Sequence, residues 1–330
     1  MRFLLALVVA AASAVASDLG DLVRDSSASL VFIEGGGGSG SGFVCRTKDG
    51  VFLFTNQHVV AEMPSMKATR LDNTSVPAGA PAAAVGHDLM RFATKDVPNP
   101  FVATDNLDAD ARIGDEVAVL GNSEGSRVIA PLAGRLLGIG PDRIEVSAEF
   151  VPGNSGSPII HVKTGKVIGI ATYLETRRFG QLADTKVGKV RRFGYRLDSV
   201  KQWQAVAWPA YQAEHTDLAK IEALTKDLAH LIDDMANDGN IDPRKHNNPV
   251  LARPLGDLDR AMTQRNLSAP DRQRAMQEFL ATLRSATTGD IVQARQRMRY
   301  DYFRRSLDEQ AAYREQFHKI FDKLMKAQRP

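Results

Sequence analysis

The sequence predicts a chain of two parts, an all-β unit followed by an α-helical one, and three observations point to it. From about residue 28 to about residue 200, short runs of β-branched and aromatic residues alternate with Gly, Pro, Asn and Asp turns, the spacing of a barrel or sandwich. Beyond about residue 200 the apolar residues recur every three or four positions, the period of an amphipathic helix. The length, 330 residues, also exceeds one ordinary domain of about 150 residues.

Strands are expected at Ser29–Glu34, Gly42–Arg46, Val51–Thr55, Glu116–Leu120, Arg135–Ile139, Arg143–Ser147, Pro158–Val162 and Val167–Thr172. In the tail, Leu218, Ile221, Leu224, Leu228, Leu231, Ile232 and Met235 share one helical face. Leu218, Thr225 and Ile232 with Ile221, Leu228 and Met235 also make a short heptad seam, an expected surface for self-association or partner docking. A second helix opens at Ser268, an N-cap with Pro270 just inside it, and carries Met276, Phe279, Leu280 and Leu283 on one side. Helical pattern runs again from about Asp290 to Ala327, with a restart expected at Ser306, where Glu309 completes a capping box. Asp238 to Gly256, rich in Asn, Asp, Pro and Gly, reads as a loop. Asp234, Asp238 and Gly239 match positions 1, 5 and 6 of a calcium loop, but Ala236 and Lys245 stand where positions 3 and 12 need oxygen ligands.

Composition narrows the function classes. With 43% hydrophobic and 25% charged residues the chain is an ordinary globular sequence, and 42 basic against 39 acidic residues leave a net charge of +3, too even for a phosphate-neutralising surface. The lone Cys45 excludes an intramolecular disulfide and any multi-cysteine metal site; it lies in an expected strand and reads as a small buried hydrophobe. No metal or other cofactor is expected. At the N-terminus, Arg2 precedes an apolar run from Phe3 to Ala12 and the small-residue pattern Ser13-Ala14-Val15-Ala16, which reads as a signal peptide over residues 1–16. The run is shorter than the roughly 20 residues that span a bilayer. The expectation is therefore a periplasmic or secreted protein beginning at Ser17, with no membrane span after cleavage.

Three short segments carry residues with reactive chemistry. His58 ends an apolar strand in Phe54-Thr-Asn-Gln-His58-Val-Val60, and Asp88 sits in the turn His87-Asp88-Leu89-Met90. Ser155 lies in Pro152-Gly-Asn-Ser155-Gly-Ser-Pro158, flanked by glycines that let successive amide N–H groups converge on one point, as a developing oxyanion requires. Gly35–Gly42 is glycine-rich, but no Gly-Lys-Ser/Thr follows and no helix begins there, so it reads as a hairpin lead-in rather than a phosphate loop.

Together the three segments resemble the chymotrypsin-like (trypsin-like) serine peptidases, which carry His, Asp and Ser in that chain order. The likeness extends to Gly38-Ser-Gly-Ser-Gly42-Phe-Val, similar to the HtrA/Deg branch, to Gly121-Asn122 with Gly125, and to Val167-Ile-Gly-Ile-Ala-Thr-Tyr173. Gly-Asn-Ser-Gly-Ser-Pro is also similar to bacterial glutamyl endopeptidases. The resemblance covers residues 28–200; no segment after residue 200 resembles the PDZ domain of HtrA proteins.

It implies a double six-stranded β-barrel at residues 17–200, an appended helical domain at 201–330, and hydrolysis of peptide bonds in exported proteins. Ser155 is then the nucleophile, His58 the general base, and Asp88, chosen over Asp72, Asp96 and Asp105, the residue that orients the imidazole. The N–H groups of Gly153 and Ser155 form the oxyanion hole. Asn154 replaces the aspartate that pairs with a new N-terminus in digestive relatives, so activation by that ion pair is not expected. Thr172, Tyr173 and Leu174 wall the primary pocket, where Leu174 favours small or medium aliphatic residues; Glu149, at the position of a basic-selecting aspartate, argues the opposite. The alternative reading is an inactive barrel pair that holds peptides while the helices carry the main role.

Overall fold

A computed structural model describes residues 20–36, 38–95, 97–176, 190–238, 248–263 and 268–327. The expected signal segment 1–16 lies outside them. The chain forms two compact units, Met1–Gln212 and Ala213–Pro330.

The first unit holds the strands. They are β1 (Leu30–Gly35), β2 (Gly38–Thr47), β3 (Gly50–Thr55), β4 (Lys67–Thr69), β5 (Pro81–Ala84), β6 (Met90–Ala93) and β7 (Phe101–Val102). They continue as β8 (Glu116–Asn122), β9 (Ile129–Ile139), β10 (Arg143–Val146), β11 (Pro158–His161), β12 (Lys166–Thr176), β13 (Val190–Tyr195) and β14 (Trp203–Ala205). Strands β10-β13-β12-β11-β8-β9 close into a six-stranded barrel. The other eight form a sheet in the order β14-β5-β6-β3-β2-β1-β4, with β7 added to β2 in parallel. The unit is thus all-β, as expected, with a closed six-stranded barrel beside an eight-stranded sheet whose end strands, β14 and β4, are not paired with each other.

Six of these strands, β4, β5, β6, β7, β13 and β14, are absent from the expected set, and their sequences explain it. Strand β5 is Pro-Ala-Ala-Ala, with little β-propensity of its own; it exists because β6 and β14 hydrogen-bond to either side. Strand β13 carries two arginines, and Arg191 is accommodated by a bidentate pair with Glu145 on β10 and by lying over the Phe193 ring.

Two apolar cores set the geometry. One fills the barrel with Val117, Val119, Leu136, Ile144, Val146, Phe150, Ile159 and Ile168. The other lies between sheet and barrel: Leu30, Phe43, Cys45 and Phe54 from the sheet pack with Ala118, Leu120, Ile160, Val167 and Ile170 from the barrel. Because close-packed interiors deform little, this shared core fixes the loops at the ends of β3 and β6 against the loop before β11. Cys45 is buried in it, as a small hydrophobe, and burial pushes its thiol pKa far up.

The helix Trp208–Asp238 begins in the first unit; the second contains the rest of it with Pro249–Met262, Ala269–Arg297 and Asp301–Ala327. Leu224, Leu228, Leu231, Met235, Leu251, Leu255, Leu258, Phe279, Leu283 and Phe321 form its core. Two expectations are corrected here. Pro249–Met262 is a helix that begins inside the expected loop, since Asn248 accepts the Val250 N–H at 3.0 Å as an N-cap and Leu251, Leu255 and Leu258 bury one face. The break between the last two helices falls before Asp301, not at Ser306, because buried Glu214 accepts the N–H groups of Arg299 and Tyr300 at 2.9 and 3.1 Å. The residues of the heptad seam, Leu218, Ile221, Thr225, Leu228 and Met235, are buried within the chain. Their neighbour is Arg314, which donates to the Ile221 carbonyl, Thr225 Oγ1 and both oxygens of Asp290. Among the described residues no helix is long and apolar enough to cross a membrane.

A Cβ at Gly194 of β13 would lie 2.4 Å from Ile159 Cδ1 and 2.6 Å from the Ile170 carbonyl oxygen. Gly194→Ala is therefore expected to destabilise the barrel by about 1–3 kcal/mol through overpacking, measured as a lower urea midpoint.

Candidate active site

The chain leaves β3 through Asn56 in extended conformation and turns into the short helix Gln57–Ala61. Asn56 is buried, and its Nδ2 donates to the Asp88 carbonyl oxygen at 2.8 Å and to Thr172 Oγ1 at 3.0 Å. Gln57 is equally buried; its Nε2 donates to the carbonyls of Ala84 and His87. The two residues before His58 therefore hold the two loops that meet it. Asp88 then contacts His58 twice: His58 Nδ1 lies 2.5 Å from Oδ2, and the His58 N–H donates to Oδ1 at 3.0 Å. A carboxylate only accepts, so the proton of a neutral His58 sits on Nδ1 and Nε2 is the basic nitrogen. Burial lowers the His58 pKa, but the charge and hydrogen bond of Asp88, assisted by Glu62, outweigh it and leave the imidazole above its ordinary range.

Ser155 sits on a loop shaped by two glycines. The Asn154 N–H closes a turn onto the Val151 carbonyl at 3.0 Å, with Gly153 at φ +94°. Gly156 is at φ +89°, and a Cβ there would lie 2.0 Å from the Ser41 carbonyl oxygen, so no other residue fits. The Asn154 side chain is buried; its Oδ1 accepts the Val151 N–H at 3.0 Å and its amide meets Ser123 Oγ. Ser155 Oγ donates to the Thr172 carbonyl at 3.4 Å. Among the described residues no hydrogen bond joins it to His58 Nε2, and no protein acceptor takes the N–H of Gly153 or Ser155.

Thus His58 and Asp88 are in direct contact, and Ser155 is linked to them through Thr172 and Asn56. Thr172, expected as a pocket wall, is buried and serves as that link. Glu149 is exposed. Tyr173 and Leu174 lie in β12 opposite Phe193 and Arg192, with side chains outside the described part. Asp72 and Asp105 are exposed, and Asp72 Oδ1 accepts the Thr74 N–H; Asp96 lies outside the described residues.

Sequence reasoning passed over Ser41. It is buried on β2, where its N–H donates to the Ser155 carbonyl at 2.9 Å and its Oγ donates to the Gly153 carbonyl at 2.9 Å. The same Oγ accepts the Asn122 N–H, and the Ser41 carbonyl accepts from Thr55 Oγ1. Its place in Gly38-Ser-Gly-Ser-Gly42 was a visible signal, since Gly40 and Gly42 leave no room for a Cβ beside Val59 and Ile33.

The family model described as a trypsin-like peptidase domain matches residues 40–170. Over these residues the chain is similar to trypsin-like peptidases. Over 149 residues it is 29% identical to the serine protease Do-like HtrA of Bacillus subtilis, covering 40% of this chain and 33% of that protein. Over 141 residues it is 30% identical to the probable periplasmic serine endoprotease DegP-like of Chlamydia pneumoniae, covering 40% of this chain and 28% of that protein. The chain thus spans a third or less of these relatives. The crystal structure of the serine endoprotease from Yersinia pestis is 21% identical with a TM-score of 0.41, over 54% of this chain and 62% of that one.

Ser41→Ala leaves the Asn122 N–H and the Gly153 carbonyl without their shared partner. The expected loss is about 1–3 kcal/mol in a denaturant titration, with slower modification of Ser155 by phenylmethylsulfonyl fluoride.

Proposed function

We propose that the chain is a serine endopeptidase that hydrolyses peptide bonds in exported proteins, in the periplasm or outside the cell, with His58, Asp88 and Ser155 as its catalytic triad. The observation that carries this reading is the double contact of Asp88 with His58 beside a glycine-flanked serine loop. Ser155 Oγ attacks the carbonyl carbon of the scissile bond while His58 Nε2 takes its proton, and His58 then returns that proton to the leaving amine. Asp88 keeps the ring in the working tautomer and stabilises its charged form. The N–H groups of Gly153 and Ser155 receive the oxyanion, and water hydrolyses the acyl-enzyme. Ser155 Oγ has to turn from the Thr172 carbonyl toward His58, a tightening common when substrate enters an unliganded site. The peptidase domain spans residues 17–200 and the helical domain 201–330, with β14, paired to β5, lying just past that boundary. The helical unit is a separate domain, and Leu174 sets an aliphatic preference before the scissile bond.

Phenylmethylsulfonyl fluoride is expected to label the wild-type chain and not Ser155→Ala, and that variant is expected to leave an unfolded protein substrate uncut; cleavage by it would overturn the assignment. Asp88→Asn is expected to lower kcat about ten-thousand-fold. His58 acts only when neutral, so activity is expected to rise with pH through a midpoint above that of an ordinary histidine, because the folded pKa is raised. In Asp88→Asn that midpoint moves down, since burial then acts without the opposing charge. A peptide-library profile reads the pocket, and strong Lys/Arg selection would assign it to Glu149 instead.

A further inference from the structure

The Gln57 amide, like that of Asn56, joins both loops of the His58–Asp88 pair: it belongs to the residue before His58 and donates to the carbonyl of the residue before Asp88. Its two N–H groups go to Ala84 and His87 at 3.2 and 2.8 Å. Its oxygen accepts from Tyr211 Oη at 3.1 Å, in a site where both side chains are fully buried. We propose that Tyr211 is a positioning residue for the candidate catalytic pair, acting on His58 and Asp88 through Gln57. The inference rests on the peptidase reading for its effect on rate, and on these contacts alone for its effect on structure.

Tyr211 is well placed to do this. It stacks on Trp208 with centroids 5.8 Å apart and planes 14° apart, and Trp208 packs on Phe92 of β6 and donates to the Pro64 carbonyl at 3.3 Å. The next residue, Gln212, donates from Nε2 to the Val60 carbonyl at 3.3 Å. One helical turn therefore grips the short His58 helix at both ends, at Gln57 and at Val60. Just upstream, β14 is paired to β5 from Ala82 to Ala84, whose carbonyl is itself a Gln57 acceptor. Without the phenol, Gln57 Oε1 is a buried acceptor with no donor, and the amide loses the bond that holds its orientation.

The test is Tyr211→Phe in the full-length protein, which keeps the ring and its stacking. The expected result is a kcat about tenfold lower at unchanged KM, equivalent to about 1.4 kcal/mol of transition-state stabilisation, with the acid midpoint of the pH profile displaced. The downfield proton resonance of the His58 Nδ1–H···Asp88 bond is expected to broaden or shift. In the Gln57→Leu background the same substitution is expected to change neither, because the effect passes through that amide. A Tyr211→Phe protein that melts lower but keeps wild-type kcat, pH midpoint and proton resonance would overturn the proposal. A wild-type chain that Ser155-directed reagents never label would overturn the peptidase reading instead, while the resonance still decides the role of Tyr211.

Discussion

The residue on which the candidate active site most depends is Ser41, in the middle of β2. Every polar group it has is used across the boundary between sheet and barrel or at its edge: N–H to Ser155, carbonyl from Thr55, hydroxyl to Gly153 and from Asn122. The apolar core beneath holds the two halves together without specifying a register, since hydrophobic contact has no direction. Ser41 supplies the direction. It seats the Ser155 loop at one height along β2, and Gly156 is required because the backbones approach too closely for a side chain.

The pair on the other side is held by a similar device. Asn56 and Gln57 are buried amides at the end of β3, and each reaches a carbonyl beside or within the Asp88 loop. Buried polar groups are costly without partners, so Gln57, bonded through both ends of its amide, and Asn56, bonded through Nδ2 although its Oδ1 has no partner among the described residues, restrict the backbone more sharply than leucine or valine in the same positions. The helical unit follows the same logic with Arg314, whose guanidinium joins three helices through Ile221, Thr225, Thr287 and Asp290.

Much of the fold was legible because β1, β2, β3, β8, β11 and β12 carry their own branched and aromatic residues. Strands β5, β13 and β14 were not, since each is made by its neighbours rather than by its composition. The helix Pro249–Met262 was hidden by Pro249, Pro254 and Gly256, although Leu251, Leu255 and Leu258 held its period. At the site, residue type singled out His58, Asp88 and Ser155, and the structure brings the first two into contact. Ser41, Gln57 and Tyr211 escaped because their bonds join residues 112, 30 and 154 positions apart, and no local pattern encodes such a pairing. Thr172 shows a similar limit: its carbonyl accepts from Ser155 Oγ and its hydroxyl from Asn56, bonds that its place on β12 does not announce in the sequence.

Asn154 brings one more consequence. The Ser155 loop is held by an uncharged amide, a serine hydroxyl and backbone groups, none of which gains or loses a proton in the physiological range. Protonation of His58 in acid therefore leaves every one of these loop bonds in place, so the two sides of the candidate site answer differently to pH.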